Sequence, residues 1–236
     1  MANEKKPEEN IVQALQLLNE RIKTAAVRSG RNPESVVLMA VSKFHSIDDI
    51  MAAYHAGIRL FGENKVQEAE RKFGELELEG CRLHFIGHLQ RNKAKKAIKL
   101  FDCIQSVDSM SLVEELAQRS QEAGKVTDIL LELHTAEDTK NGFPDADSLF
   151  VALERALGFA SLRVRGLMTM APFVQDKDAI RASFVACRKA YEKAKDLFKA
   201  ENFDTLSMGM TNDFELAIEE GSTLLRIGSA IFGARL

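Results

Sequence analysis

The chain has 236 residues, of which 45% are hydrophobic and 28% charged, with a formal net charge of −3. That composition fits a soluble globular protein with one large core or two small ones. The basic residues are scattered, so the electrostatic footprint of a nucleic-acid binder is missing, and no uninterrupted apolar run approaches membrane-spanning length.

The opening residues Met1 to Asn10 are charged throughout and read as lacking the apolar core of a signal peptide. Cys81, Cys103 and Cys187 are odd in number and widely spaced, giving neither a disulfide framework nor a zinc spacing. A reducing cytoplasm is the expected home.

Apolar residues at helical spacing from Ile11 to Arg28, stopped by Ser29-Gly30, predict an amphipathic helix; residues 1–30 are expected to pack it outside the rest of the fold. Val36 to Val41 is a run of six apolar residues leading into Ser42-Lys43, the pattern of a strand covered on both faces. A helix from Ile47 to Ala56 and a short strand Arg59 to Asn64 follow. The cycle then repeats: helix Val66–Phe73, strand Leu83–Gly87, helix Arg91–Phe101, strand Cys103–Val107, helix Ser109–Ala123, strand Asp128–His134. After a polar loop come helix Ala146–Leu157, strand Val164–Met168, helix Lys177–Lys199, strand Thr205–Ser207, helix Asp213–Glu220, strand Leu224–Ile227 and a short terminal helix. Eight strands, each followed by a helix through short connections, predict an α/β fold, a single-domain (β/α)8 TIM barrel spanning residues 1–236. An open doubly wound sheet is the alternative; the first strand leads into Ser42-Lys43-Phe44-His45 and lacks a G-x-G-x-x-G turn.

Strand ends of a barrel converge on one mouth, which would bring together Lys43, Glu63-Asn64, His134, Met168, Ser207 and Arg226, with His84 lower in its strand. Alone, Lys43 reads better as a strand end that carries its charge to water. Barrels often hold phosphate at the loops after strands seven and eight. Here Ser207-Met208-Gly209-Met210-Thr211-Asn212 offers a hydroxyl, a glycine and a helix start capped by Thr211 or Asn212, and Arg226-Ile227-Gly228-Ser229 repeats the recipe. A lysine across from a phosphate cup is what pyridoxal 5′-phosphate needs. Arg91 to Lys96 forms a local basic cluster, either a solvated helix face or a site for an acidic partner.

Ala40-Val41-Ser42-Lys43, Phe61 to Glu68, His84 to Lys93, Gly166-Leu167-Met168, Ser207 to Met210 and Arg226 to Gly233 closely resemble, in order, the pyridoxal phosphate homeostasis proteins. The resemblance implies a barrel like the amino-terminal domain of alanine racemase, with pyridoxal 5′-phosphate held as an internal aldimine on Lys43. It implies that Ser207, Gly228 and Ser229 hold the phosphate, that Arg226 lies beside the pyridine nitrogen and that Asn64 and Met168 line the pocket. Lys140 matches a lysine the family tends to carry. Phe44-His45, His88 and Thr211 depart from the commoner pattern. Racemisation would need a second acid–base group, and the two tyrosines, Tyr54 and Tyr191, fall in helices expected outside the barrel. The resulting expectation is a monomeric cytoplasmic protein that buffers the cofactor or delivers it to apo-enzymes that depend on it. A slow racemase on small amino acids and a non-enzymatic interaction module are the alternatives.

Overall fold

The computed structural model describes residues 7–136 and 141–233. Its elements are α1 (Pro7–Arg28), β1 (Val37–Val41), α2 (Ile47–His55), β2 (Leu60–Glu63), α3 (Val66–Phe73), β3 (Arg82–Phe85), α4 (Ala94–Leu100), β4 (Cys103–Val107), α5 (Met110–Glu122), β5 (Thr127–Glu132), α6 (Ala146–Leu157), β6 (Leu162–Met168), α7 (Lys177–Phe198), β7 (Thr205–Ser207), α8 (Phe214–Glu219), β8 (Leu224–Ile227) and α9 (Ser229–Phe232). The eight strands are parallel and close in sequence order, with β8 beside β1. The barrel expectation holds, and the open sheet is excluded.

Side chains alternate in direction along each strand, so each divides into an inward and an outward set. Outward residues such as Ala40, Phe61, Phe85, Ile104, Ile129, Leu206 and Leu225 join the main core between barrel and helices. Inward residues form two smaller clusters, Met39 with Val41 and Leu224, and Cys103 with Leu130 and Met168. Some helices start where a side chain satisfies their free amides: Ser46 and Asp49 form a reciprocal capping box on α2, and Asp145 accepts from Ser148 N at 2.7 Å on α6. Helix α1 buries Ile11, Leu15, Leu18 and Ile22, one stripe at helical spacing, against α2, α8 and α9.

The structure corrects some boundaries. Strand β1 stops at Val41, so Lys43 lies in the turn beyond it. Strand β5 ends at Glu132; beyond it His134 N donates to Phe143 O at 2.9 Å, turning the chain back on itself. The expected Arg91–Phe101 helix opens as a 3₁₀ turn, Arg91–Lys93. Between β6 and β7 the backbones approach so closely that a Cβ on Gly166, at φ +149°, would meet Thr205 O at 1.8 Å.

Candidate functional site

Alternation selects what faces the barrel mouth. Counting by twos from inward Leu130 and Leu224 reaches Glu132 and Arg226 at the carboxyl end, and Lys43 and Asn64 stand at the same end, in the turns just past β1 and β2. Ser42 and Glu63, next to them, face the helix layer. Adjacent residues at these two strand ends therefore do different work.

The turn carrying Lys43 is fastened from outside the barrel. Ser42 Oγ donates to Glu63 Oε1 at 2.7 Å. Lys72, on α3 and 6% exposed, donates to Ser42 O at 2.8 Å and reaches Glu63 Oε1 at 3.2 Å and Glu68 Oε1 at 2.6 Å. Glu68 Oε1 also accepts from Phe44 N at 2.6 Å. The network thus grips the backbone on both sides of Lys43, itself half-buried. Phe44 is held at φ +69°, where side chains of its kind are rare, which marks the turn as imposed by its surroundings. Burial raises the Glu63 carboxyl above the usual range, against the pull of Ser42 and Lys72. Burial also acts to raise Glu68, but the Lys72 ammonium and the Phe44 amide outweigh it and hold that carboxyl low. His45 stacks on Phe232 of α9 with centroids 4.5 Å apart, joining the turn to the end of β8.

Arg226 is 4% exposed within the barrel. Its Nη1 donates to Ser207 Oγ at 2.8 Å and its Nη2 to Thr169 O at 2.7 Å. Ser207 Oγ in turn donates to Gln105 Oε1 at 2.7 Å, and Gln105 Nε2 donates to His84 Nδ1 at 2.8 Å. Burial pushes His84 down to about 3, so its ring is neutral. Glu132 is 3% exposed; burial pushes its carboxyl up to about 7, against the opposing attraction of Arg226.

Ser207, expected at the phosphate, is therefore committed elsewhere: its hydroxyl is fully buried and turned into the barrel between Arg226 and Gln105. The hydroxyls that meet at the rim are those of Thr211 and Ser229, 3.1 Å apart, with Ala230 N donating to Thr211 Oγ1 at 3.4 Å. Neither Thr211 nor Asn212 caps α8. Asp213 occupies that position, its Oδ1 accepting from Met210 N at 2.5 Å. Gly228 passes so near β1 that a Cβ would lie 3.2 Å from Val41 O. Met168 closes β6 at 1% exposure, packed with Cys103 and Leu130.

These residues suit a small phosphorylated aldehyde. An amine, a guanidinium and a pair of rim hydroxyls follow or end strands at the same end of the barrel, and Asn64 Oδ1, just past β2, is buried with no hydrogen-bond partner. That orphaned acceptor is what a ligand with a hydroxyl would satisfy.

The other histidine, lysine and tyrosine candidates among the described residues have partners of their own. His134 Nδ1 lies 3.3 Å from Asn141 O in the loop beyond β5, and His88 pairs with Asp108 at 2.9 Å. Lys140 lies outside the described residues. In the basic cluster, Lys96 is matched to Glu70 at 3.1 Å on an exposed helix face. Tyr54 OH donates to Glu79 O at 3.3 Å and Tyr191 OH to Phe203 O at 3.1 Å, both outside the barrel. Among the described residues, no group of three His, Cys, Asp or Glu could hold a metal ion, and no helix is long and apolar enough to cross a membrane.

Sequence reasoning missed Glu132, Gln105 and Lys72. Glu132 carried a signal, a carboxylate at inward parity in the apolar run Ile129-Leu130-Leu131-Glu132. Lys72, within Glu70-Arg71-Lys72-Phe73, looked like any solvated helix face.

The profile described as "Alanine racemase, N-terminal domain" matches residues 14–236. The chain is 35% identical to the pyridoxal phosphate homeostasis protein of Aquifex aeolicus, over 96% of this chain and 99% of that one. It is 37% identical to the protein of the same name from Escherichia coli K12, over 96% and 97%. The structure of PipY from Synechococcus elongatus, solved with PLP bound, superposes with a TM-score of 0.80 at 38% identity, covering 91% of this chain and 99% of that one. The chain belongs to the alanine racemase N-terminal domain family and, within it, to the pyridoxal phosphate homeostasis proteins.

Proposed function

We propose that this protein binds pyridoxal 5′-phosphate covalently through Lys43 and keeps the cofactor available, buffering it or delivering it to apo-enzymes, as a monomer in the cytoplasm. The observation that carries the reading is Lys43 fastened on both flanks at the barrel mouth that also receives Arg226, the orphaned Asn64 Oδ1 and the Thr211–Ser229 hydroxyl pair. Two family members share the homeostasis name, and PipY was solved with PLP bound. Three cysteines without a disulfide among them fit a reducing compartment.

In this reading Lys43 supplies the amine for the aldehyde. Thr211, Ser229 and the backbone at Gly228 hold the phosphate, and Met168 and Asn64 line the ring pocket. Ser207 acts one step back, orienting Arg226. The bound cofactor supplies an electron-withdrawing ring. A guanidinium held at Arg226 opposes protonation of a nearby ring nitrogen and so weakens that property. With both tyrosine hydroxyls bonded to backbone outside the barrel, no tyrosine is at hand as the second acid–base group of an efficient racemase.

Visible absorbance tests the binding. The loaded protein should be yellow, and Lys43→Ala should lose the band while remaining folded by circular dichroism; a wild type that stays colourless with added cofactor would refute the reading. Incubation of the loaded protein with small amino acids in deuterated water separates storage from turnover. Rapid α-proton exchange would favour the racemase alternative.

A further inference from the structure

The barrel has a second opening, at the end opposite Lys43. A cavity of about 420 Å³ there is lined by residues at or near the starts of the strands, among them Val37, Leu60, Arg82, Asp128, Thr205 and Leu224. Its walls are partly apolar, and Val37, the first inward residue of β1, remains 48% exposed. Nothing in the cofactor reading uses this end.

His84 lines the cavity, 7% exposed, with Nε2 buried and unpartnered. The hydrogen-bond network assigns its proton. Gln105 Oε1 is taken by the Ser207 hydroxyl, so the Gln105 amide N–H faces Nδ1 and the ring proton is on Nε2. Every donor in this chain points the same way, from Arg226 through Ser207 and Gln105 to His84, and such head-to-tail chains polarise their last donor. The chain ends on an N–H that lacks an acceptor.

One of the charges at this mouth is held more loosely than the rest. Asp128 Oδ1 accepts from Arg163 at 2.6 Å, and its Oδ2 accepts from Arg165 at 3.2 Å. Arg165 also reaches Asp204 at 2.6 Å, so both carboxylates are already engaged. Arg82 lies 3.5 Å from Asp128 Oδ2, longer than a good charge-assisted bond, with its side chain 52% exposed. The cavity is bordered by two guanidiniums, Arg82 and Arg165, and two carboxylates, Asp128 and Asp204, and Arg82 is the least committed of the four.

We propose that the amino-terminal end of the barrel is a binding site for a small monocarboxylate with a branched aliphatic body. The carboxylate is held between Arg82 and the His84 Nε2–H, and the aliphatic part lies against Leu60, Leu130 and Leu224. The test uses protein without cofactor, so it does not stand or fall with the reading of Lys43.

The probe is isovalerate, titrated into ¹⁵N-histidine-labelled protein prepared without cofactor, with the His84 ring signal followed by long-range ¹H–¹⁵N correlation. The signal is assigned by its loss in His84→Gln. Expected are a saturable shift of the Nε2 resonance, weaker binding of acetate, and affinity for isovalerate reduced about tenfold in Arg82→Gln. Arg82 is on the surface, so that variant keeps the test usable if His84→Gln does not fold. A shift that never saturates, one that chloride reproduces, or one unchanged in Arg82→Gln would overturn the proposal, leaving only an enclosed water to satisfy the histidine. Tighter binding of inorganic phosphate than of isovalerate would overturn the carboxylate assignment.

Discussion

Lys72→Met tests whether the Lys43 turn is held from the helix layer. The substitution keeps the length of the side chain and removes its contacts to Ser42 O, Glu63 and Glu68, at 2.8, 3.2 and 2.6 Å. Glu63 is fully buried, and its Oε2 already has no partner. Removing the cation leaves a buried carboxylate with only the Ser42 hydroxyl, a loss of about 3–5 kcal/mol for a buried pair broken on one side. The pH dependence has a definite sign. Burial raises the Glu63 carboxyl in the folded protein, so the folded state takes up its proton at higher pH than the unfolded chain. Its contribution to stability is then full at low pH and is lost as pH rises through the raised value. Losing Lys72 raises that value further, so the deficit should be larger at pH 8 than at pH 5. Urea unfolding at both values measures it. A deficit below about 1 kcal/mol at pH 8, or an equal one at both pH values, would refute the argument. In the double variant Lys72→Met with Glu63→Leu part of the stability should return, because the fully buried carboxylate is gone and the part-buried Glu68 still accepts from Phe44 N.

Two further outcomes follow from buried or strained groups. Glu132, raised to about 7 from an ordinary carboxyl value, should cost the cofactor-free protein roughly 3 kcal/mol as pH rises from 5 to 8; Glu132→Gln should flatten that part of the urea-measured profile, and an unchanged slope would remove Glu132 as its source. Phe44 at φ +69° should accept glycine with a change within about 0.5 kcal/mol, whereas Phe44→Val should lose about 1–2 kcal/mol. Equal losses in the two variants would show that the left-handed backbone is not what limits the position.

The architecture was legible because short strand-like segments, several of them apolar runs, alternate with segments of helical periodicity. Such segments put α3, β4, α6, β7 and β8 at their observed limits. The Lys43 position was legible for the same reason, as the polar end of the strongest run. Direction at strand ends was harder to read. Ser207 ends a strand of only three residues, so a hydroxyl after β7 could turn to the rim or to the interior; Gln105, its partner 102 residues away, decides for the interior. Thr211, considered as a helix cap, instead bridges to the turn after β8, a contact between loops that neither loop announces. Lys72 lies on a charged helix, and its acceptors Ser42 and Glu63 come from two different strands.

The role of Lys72 was hidden for a physical reason. At the ends of β1 and β2 Ser42 and Glu63 turn outward to the helix layer, beside the turns that carry Lys43 and Asn64. The outward pair binds Lys72, and through Glu68 the same cluster holds the Phe44 amide. The position of the amine at the mouth is therefore set by groups that never face the mouth. A change in the helix layer such as Lys72→Met should accordingly alter how Lys43 meets its ligand before it alters the barrel, whose strand pairing rests on backbone hydrogen bonds and on the main core.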